Sequence, residues 1–421
     1  MSSSNSQSST IKAPWIPPGY KQTDVGVIPE EWGVNVVGEA FEVRNQLRLP
    51  ISQTVRERMS GPYPYYGPTS VQGWINEYRV EGEHALIGED GDHFLKWRDQ
   101  AMTLLVSGKF NVNNHAHIVK GSKNLTAWFY WYFANRDISG SLTRQGAGRY
   151  KLTKATLLKL PCAVPPLPEQ RAIAEALRDV DGLLGGLDRL IAKKRDLKQA
   201  GMQQLLTGQT RLPGFHGEWE VKRLGDFGKC LRGVSYKGDS DLSTHDTPHT
   251  KRLLRSNNVQ NAIIVTDEVQ FVNAARVSSH QILQQGDILI CMANGSKALV
   301  GKAGIFTLSD GHEYTLGAFM GCFRTNSAEA NPTFVFYLFL TAQYRDYINN
   351  LLAGSSINNL RPSSIESLEF STPPHPEQTA IASVLTEMDT ELAVLEQRRE
   401  KTRALKQAMM QELLTGRTRL V

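Results

Sequence analysis

The chain has 421 residues, more than one hydrophobic core usually serves, so it is expected to fold into at least two domains. Hydrophobic residues make up 40% and charged residues 21% of it, a balance that excludes a wholly disordered chain. Lys and Arg number 47 and Asp and Glu 42, and the resulting charge of +5 permits nucleic-acid binding without indicating it. The four cysteines form no CxxC motif, which argues against a zinc finger or a disulfide framework and predicts reduced thiols in a cytoplasmic protein.

The N-terminal segment and the longest apolar run both argue against a membrane protein. Residues 1–22 begin MSSSNSQSST, which lacks the apolar stretch of a signal peptide, and they are expected to be a disordered or loosely held tail. The longest apolar run, FVFYLFL at 334–340, is far shorter than the ~20 residues that a membrane helix needs. No membrane association is therefore expected.

Residues 23–160 are predicted to form a first globular domain of mixed β-structure with a few helices. Val, Ile and aromatic residues alternate there with Gly and Asn turns, as in short strands. Its turn-rich stretches carry side chains that can read base edges, and the predicted DNA-binding residues are Tyr63, Tyr65, Tyr66, Asn113, Asn114, His115 and His117. A metal site at the two histidines is not expected, because no third ligand lies at usable spacing and alternating strand positions explain them.

Residues 161–212 and 371–421 are predicted to be two helical spacers, because they carry one repeated sequence. Residues 165–212 match residues 373–420 without a gap, and more than half of the positions are identical. Each copy begins PPxPEQ, with prolines ahead of a helix and a glutamate in its first turn, and a glycine ends each helix. At ~1.5 Å per residue, the helix from Glu169 to Thr207 is roughly 58 Å long.

Apolar residues in each copy recur at alternating spacings of three and four, the heptad pattern of a coiled coil. Two helices with matching seams are expected to pack on each other and to offer a surface to partner proteins. The residues predicted for the helical spacer and partner interface are Glu169, Gln170, Ile173, Leu177, Leu184, Leu187, Glu377, Gln378, Ile381, Leu385, Leu392 and Leu395. The Leu-rich stretches at 202–206 and 410–414 are expected to suit partner helices as well.

Two features of the first helix each allow two interpretations. The basic residues of 193–198 form either a solvated face or a DNA contact, and charge runs are usually solvated. Gly182, Gly185 and Gly186 indicate either a close approach of two helices or a simple kink, since each interior glycine costs roughly 1 kcal/mol relative to alanine.

Residues 213–370 are predicted to form a second globular domain, in which GDILI at 286–290 is a buried strand after a turn. Lys and Arg beside phosphates supply affinity, and Asn and Arg on base edges supply sequence choice. The predicted DNA-binding residues are Lys251, Arg252, Arg255, Asn257, Asn258, Ser296, Lys297, Asn358 and Asn359. The stretch GSKALVGK (295–302) does not have the spacing of a P-loop, and no nucleotide site is expected there. The stretch NPTF (331–334) lacks the second proline of an amino-methyltransferase signature, and no such site is expected either.

The chain is therefore organised as two similar units in tandem. A Trp-x-Val motif opens each unit at Trp32 and Trp219, whereas the two variable domains do not align with each other. Similar parts are expected to do one job twice, and dissimilar parts to do different jobs in equivalent places. Two unlike readers on one rigid spacer predict a non-palindromic DNA site.

These segments resemble the DNA-specificity (S) subunit of Type I restriction–modification systems. The resemblance spans essentially the whole chain, with two departures, the glycine-containing segment 182–186 of the first helix and His375, where the first copy has Leu167. The segments that carry it are GYKQTDVGVIPEEW (19–32), PPLPEQRAIAEAL (165–177), LLTGQTRLPGFHGEW (205–219), PPHPEQTAIASVL (373–385) and LLTGRTRL (413–420). The predicted fold class is accordingly α+β, with two mixed globular target recognition domains separated by a long antiparallel two-helix coiled coil and a pseudo-two-fold internal repeat.

The resemblance implies a protein that selects DNA sequences and has no catalytic residues of its own. Each variable domain would read one half of an asymmetric, bipartite site in double-stranded DNA. The paired helices would set the spacer and dock two modification subunits that methylate adenine, and restriction subunits would join through these. The chain itself would hold no cofactor or metal, while S-adenosylmethionine, ATP and Mg²⁺ would belong to the partner subunits. The complex would be cytoplasmic and associated with the nucleoid.

Two rival functions stand beside this one. A self-contained DNA methyltransferase or nuclease would need a cofactor loop or a carboxylate cluster on strands, and the sequence shows neither pattern. A coiled-coil scaffold that binds only protein leaves the two unlike, turn-rich domains unexplained.

Overall fold

The computed structural model describes residues 15–420, apart from 99, 101, 135, 146–148 and 354–357. The chain divides into two units, residues 1–188 with 397–421 and residues 189–396. Each unit holds one globular domain and parts of both long helices. The five segments predicted from the sequence stay a prediction, because these units group residues by contact and not by sequence repeat.

The first globular domain consists mainly of short strands, with a few short helices. Its strands are β1 (Tyr20–Thr23), β2 (Gly26–Pro29), β3 (Gly33–Val36), β4 (Phe41–Val43), β5 (Ser60–Tyr66), β6 (Val71–Ile75), β7 (Val80–Glu81), β8 (His84–Gly88), β9 (Thr103–Val106), β10 (Lys109–Val112), β11 (Ala116–Gly121), β12 (Thr143–Gln145), β13 (Arg149–Lys151) and β14 (Pro161–Val164). The helices that begin in this part of the chain are α1 (Val37–Ala40), α2 (Gln53–Arg58), α3 (Thr126–Ala134), α4 (Lys154–Lys159) and the long α5 (Leu167–Leu206).

Two four-stranded sheets form the body of the first domain. One has the order β4-β11-β8-β9 and is antiparallel, and the other has the order β6-β5-β10-β7, in which β5 and β10 run parallel. Helix α3, TAWFYWYFA, is apolar on all sides and is buried against the first of these sheets. Its aromatic side chains share a core with Ala85, Ile87 and Val119 of that sheet.

The second globular domain also consists mainly of short strands, with a few helices. Its strands are β15 (Glu220–Arg223), β16 (Gly228–Arg232), β17 (Leu242–Ser243), β18 (Thr250–Leu254), β19 (Val259–Gln260), β20 (Ile263–Ile264), β21 (Gln270–Asn273), β22 (Ile288–Cys291), β23 (Ala303–Ile305), β24 (Tyr314–Leu316), β25 (Met320–Thr325) and β26 (Glu369–Thr372). The helices are α6 (Leu224–Phe227), α7 (Gly238–Asp241), α8 (Pro332–Leu338), α9 (Ala342–Ala353), α10 (Pro362–Glu366) and the long α11 (His375–Leu413).

The two domains share one sheet architecture although their sequences do not align. The antiparallel sheet β16-β25-β22-β23 has the order of β4-β11-β8-β9, and in β17-β21-β18-β24 one parallel pair, β18 with β24, corresponds to β5 with β10. Even the register agrees: Ala116 pairs with Gly88 at the end of the first sheet, as Met320 pairs with Cys291 in the second. Backbone hydrogen bonds fix this register, so it is kept although the side chains differ at most of the equivalent positions.

Both long helices form over the spans that the sequence predicts. Helix α5 begins two residues before Glu169, and each helix is followed by a glycine with positive φ, +72° at Gly208 and +71° at Gly416. This left-handed backbone is the usual helix stop, and glycine adopts it without steric cost. Helix α5 also continues through Gly182 and Gly186, where an added Cβ would meet no atom within 4 Å. A close helix approach at these two glycines is therefore not observed.

Within each unit, a segment of α5 runs antiparallel to a segment of α11. Residue numbers rise along one segment as they fall along the other. The ion pairs that define this direction are Lys406–Asp181 (2.5 Å) and Arg399–Asp188 (3.6 Å) in the first unit, and Lys194–Glu391 (2.7 Å) and Lys198–Asp389 in the second.

The predicted heptad residues separate into two groups. Ile173 and Leu177 are buried in the core of the first domain, and Ile381 and Leu385 in the core of the second. The expectation of a partner surface is corrected for these four, because each packs on its own globular domain. A heptad stripe fits any buried helix face, and its spacing does not say what covers it. The remaining candidates lie further along the helices, with Leu187 and Leu392 buried and Leu184 and Leu395 half-buried.

The glutamines of the two PEQ motifs fix the start of each long helix to its own domain. The amide oxygen of Gln170 accepts a hydrogen bond from the Leu125 backbone at 2.9 Å, and its nitrogen donates to the Pro165 carbonyl at 2.8 Å. Gln378 is held in the same way. Both glutamines are buried, so they serve this anchor and offer nothing to a partner.

The glutamates of the PEQ motifs are buried too, and each is held by an arginine from the end of the other repeat copy. Glu169 accepts hydrogen bonds from Arg419 at 2.6 and 3.0 Å and from the Trp32 indole at 2.8 Å. Glu377 accepts two from Arg211, at 2.5 and 2.6 Å. We call these contacts the first and second Glu–Arg clasps. Their burial corrects the expectation that the two glutamates lie at a partner interface.

The ends of the chain and of the helices also differ from expectation. Residues 1–14 of the predicted tail lie outside the described part of the chain, but Tyr20–Thr23 form β1, and the Tyr20 hydroxyl donates to the Gly416 carbonyl at 2.9 Å. The Leu-rich stretches expected to bind partner helices are buried instead, with Leu205 and Leu206 in the second domain's core and Leu413 and Leu414 in the first's. They anchor the helix ends to the domains.

Three further properties concern the described residues alone. None of the helices among them is long and apolar enough to cross a lipid bilayer. They contain no grouping of three His, Cys, Asp or Glu side chains that could hold a metal ion. The four cysteines are free and buried, and burial raises the pKa of both Cys162 and Cys230 to about 12.

Candidate nucleic-acid interface

Each globular domain carries a group of loops at the same end of its antiparallel four-stranded sheet. We define the first loop cluster and the second loop cluster by their residues, 89–91, 113–115 and 150–151 in one domain and 292–294, 317–319 and 358–359 in the other. Matching backbone hydrogen bonds hold them: Glu89 donates to the His115 carbonyl at 2.7 Å, and Met292 donates to the Phe319 carbonyl at 2.9 Å. The same β-bridge closes each cluster, between Asp90 and Lys151 and between Ala293 and Asn359.

The first loop cluster is charged and internally paired. At its surface the His115 ring donates from Nδ1 to the Asp90 carboxylate at 2.8 Å. Beneath this pair, Glu89 contacts Arg48 at 2.8 Å and Lys151 at 3.5 Å. The cluster therefore presents carboxylate oxygens and an imidazole, groups that can accept from and donate to polar base edges.

His117 supports the first loop cluster from inside. Its Nδ1 accepts hydrogen bonds from Asn45 at 2.9 Å and Arg48 at 2.8 Å, and its Nε2 donates to the Leu152 carbonyl at 2.7 Å. Burial lowers the pKa of His117 to about 4, outweighing the opposing effect of the bond to Leu152, so the ring is neutral at neutral pH. The predicted DNA contact of His117 is corrected, because the side chain has no exposed surface.

Two more of the predicted first-domain contacts are buried. The Tyr65 hydroxyl donates to the Leu49 carbonyl at 2.6 Å, and the Asn113 amide donates to Gln72 at 3.0 Å. Both side chains hold loops in place and are removed from the set of direct DNA contacts by the structure. The other predicted residues keep surface that can be reached, with Tyr63 and Tyr66 half-buried and Asn114 and His115 exposed.

The second loop cluster borders a cavity of about 980 Å³. Four of the predicted DNA-binding residues line it, namely Arg255, Asn257, Asn358 and Asn359. The Nε atom of Arg255 is buried and has no hydrogen-bond partner among the described residues. Phe319 lines the same cavity, with 71% of its surface exposed. The cavity thus combines a guanidinium, the carboxylate of Glu268, several amides and an aromatic ring.

The predicted basic residues on β18 are neutralised by carboxylates of their own domain. Lys251 pairs with Glu313, and Arg252 pairs with Asp246 at 3.0 Å and with Asp310 at 3.3 Å. Such partners compete with DNA phosphates, so these two residues do not form the free basic set that the sequence suggested.

The last three predicted residues of the second domain lie around the cavity without lining it. Asn258 is buried, and its amide donates to the Val265 carbonyl at 3.0 Å, which corrects its predicted DNA contact. Ser296 and Lys297 are exposed in the segment that follows the second loop cluster.

Sequence reasoning missed three side chains that the structure places at the clusters, Asp90, Asn294 and Phe319. Asp90 lies in LIGEDGD, where the charges looked like an ordinary turn. Phe319 follows the buried strand β24, and an aromatic residue in a three-residue turn between two strands is a signal that could have been noticed. The importance of both positions appears only when the two sheets are compared.

The chain was compared with known proteins. The profile of the family described as Type I restriction modification DNA specificity domain matches residues 29–191 and 216–403. The chain belongs to this family. A putative type I restriction enzyme specificity subunit of Haemophilus influenzae is 28% identical over 86% of this chain and 88% of its own length. The MjaVIII specificity subunit of Methanocaldococcus jannaschii is 22% identical over 93% and 94% of the two chains.

Solved structures agree on the fold. A crystal structure of a Type I restriction–modification S subunit from M. genitalium matches with a TM-score of 0.62, covering 94% of this chain and 99% of that one at 14% identity. This likeness shows an α+β fold shared along nearly the whole chain. The resemblance noted from the PEQ and LLTG segments is thereby confirmed as membership of the specificity family.

Proposed function

We propose that this chain is the sequence-specific DNA-binding specificity subunit of a Type I restriction–modification complex, with each loop cluster reading one half of a bipartite site. The observation that carries the proposal is the pair of loop clusters, which share a backbone and differ in chemistry. A common frame with unlike side chains is what two readers of different sequences need. Unlike readers in one chain recognise an asymmetric site.

The side chains assigned to base reading lie in the first loop cluster or line the cavity of the second domain, and each keeps some exposed surface. In the first domain they are Asp90, Asn114 and His115, and in the second they are Arg255, Asn257, Asn359 and Phe319. Asp accepts from cytosine N4, Asn pairs with adenine, and Arg pairs with guanine in the major groove. The buried residues His117, Asn113 and Asn258 keep these readers in position.

The long helices are assigned the spacer and the docking of two modification subunits. Three leucines at intervals of seven, Leu183, Leu190 and Leu197, are exposed on α5. Such a stripe is costly to leave in water and suits a partner helix. The basic residues Lys194, Arg195 and Lys198 pair with carboxylates of α11, which favours the solvated interpretation over a DNA contact.

Catalysis is assigned to the partners. The relatives are named specificity subunits. One structural match, with a TM-score of 0.52, comes from a study of complex assembly of the type I R-M system. The modification subunits would bind S-adenosylmethionine, and the restriction subunits ATP and Mg²⁺. Purified alone, this chain is expected to transfer no tritiated methyl group to DNA, and a positive result would favour the rival, a self-contained methyltransferase.

The spacer role is tested by lengthening both antiparallel segments together. One heptad is inserted after Lys194 in α5 and one after Glu391 in α11, which face each other. Seven residues add about 10 Å, so the methylated motif is expected to gain about three base pairs of spacer with both half-sites unchanged. A heptad in α5 alone is the control and is expected to abolish methylation. A changed half-site, read by single-molecule sequencing of host DNA, would contradict the spacer role.

A further inference from the structure

Phe319 is an exposed aromatic ring on a rigid turn. Its carbonyl accepts backbone hydrogen bonds from Met292 at 2.9 Å and from Ala293 at 3.1 Å. Met320, the next residue, donates to the Gly317 carbonyl at 2.9 Å and closes the turn. The backbone therefore presents the ring at a fixed place, although 71% of it remains in contact with water. Single exposed apolar residues are common, so what points to a contact here is the place of the ring in a cavity lined by polar side chains.

Side chains with unused hydrogen-bonding groups line the same cavity as the ring. Arg255 lines the same cavity, and its buried Nε has no partner among the described residues. The side-chain amides of Asn257 and Asn359 also make no hydrogen bond to the described part of the chain, and both line the cavity. Arginine and asparagine are the side chains that pair with guanine and adenine in the major groove. An apolar ring among them matches the one apolar group of that groove, the 5-methyl of thymine.

We propose, on the basis of the function proposed above, that Phe319 is a specificity-determining residue that contacts the 5-methyl group of a thymine in the second half-site. Arg255 and the neighbouring asparagines bond to the polar edges of adjacent base pairs. We assign the ring to the major groove and not to a wedge between bases, because arginine and asparagine read guanine and adenine edges there, whereas apolar wedges enter the minor groove.

The first domain supplies an internal comparison. His115 occupies the position of Phe319, since its carbonyl accepts the matching hydrogen bond, and its ring bonds to Asp90. A polar pair at this position makes no favourable apolar contact with a methyl group. The methyl contact is therefore confined to the half-site read by the second domain.

The test replaces thymines by deoxyuridine, which removes the methyl group and keeps every hydrogen-bonding atom of the base. The full chain, assembled with the modification subunits of its system, is titrated with duplexes carrying one dT→dU exchange at a time in its methylated motif. At one position in the second half-site, binding is expected to weaken about 4-fold, the value of one buried methyl-sized group. Phe319→Ala is expected to bind the dT and dU duplexes equally. Ile263→Ala, which removes another exposed apolar side chain outside the cavity, keeps the dU penalty.

Each result decides for or against the inference. A second half-site without an A·T pair, no dU penalty at any of its positions, or a penalty that persists in Phe319→Ala would overturn it. If Phe319→Ala binds too weakly for comparison, Phe319→Leu keeps an apolar contact and must retain part of the penalty. A wild-type complex that prefers no sequence would instead contradict the proposed function itself.

Discussion

The two loop clusters carry different side chains on the same backbone arrangement. Equivalent hydrogen bonds place His115 and Phe319 at the same point of the two domains. One side chain is polar and paired with a carboxylate, and the other is an exposed apolar ring. The comparison teaches that the buried sheet fixes where a reader sits, while the residue at that point decides what it can contact.

The layer beneath each cluster has changed together with its surface. His117 on β11 corresponds to Gly321 on β25, and Glu89 corresponds to Met292. A Cβ at Gly321 would lie 2.8 Å from the Met292 side chain, so methionine fills the volume that an imidazole takes in the first domain. Polar groups lie beneath the paired His115 and a methionine lies beneath the apolar Phe319, because a buried polar group without a partner is costly.

The largest expected effect is on the free energy of unfolding, and it distinguishes the two units at their Glu–Arg clasps. Arg211→Met leaves Glu377 buried without a cation and should cost the second unit about 3–5 kcal/mol. Arg419→Met should cost the first unit less, because the Trp32 indole still donates to Glu169. Hydrogen exchange of each unit in increasing urea measures both losses.

The control for the clasps is Arg223→Met, which removes an exposed ion pair with Glu369 and should cost the second unit less than about 1 kcal/mol. If Arg211→Met destabilised no more than this variant, the clasp would not be the anchor of the helix.

The next effect separates the domains in DNA binding. Arg255→Ala removes a guanidinium from the second cavity and should weaken binding of the cognate duplex by about 10- to 100-fold, the range of one base-pairing arginine. Discrimination at the first half-site should stay as in the wild type. Arg252→Ala, whose charge is already paired within the domain, is the matched control in a competition assay with single-base variants of the motif. Equal losses of binding affinity from the two variants would contradict the assignment of Arg255 as a base-reading residue.

The smallest effect concerns the support of the first cluster. An unfolded histidine titrates near pH 6.5 and folded His117 at about 4, so the stability it confers is complete above the former and is lost as the pH falls toward the latter. The first unit should lose about 1 kcal/mol per pH unit in this window. His117→Gln should flatten that slope, and an NMR titration of the ring follows it directly. A folded pKa near 6.5 would contradict the buried, neutral assignment.

Structural features that depend on neighbouring residues were predicted from the sequence, whereas features that depend on distant contacts were not. The bounds of α5 and α11 follow from prolines and glycines, which act within a few residues, and the internal repeat shows the same signals twice. The common antiparallel sheet did not follow, because backbone hydrogen bonds set its register and its equivalent strands share few residues. The partners of Glu377 and His117 lie far away in the chain, so both residues were assigned to surfaces and are buried. Arg255 and Asn359 were assigned from residue type, and the structure places them in the same cavity.

The account's central claim is that each loop cluster reads its own half of one site. The most direct measurement is single-molecule sequencing of methylated DNA from hosts carrying Asp90→Ala with His115→Ala, or Phe319→Ala with Asn359→Ala. The first pair is predicted to alter letters in one half of the motif and the second pair in the other, at an unchanged spacing. Changes in both halves from a single pair would contradict the account.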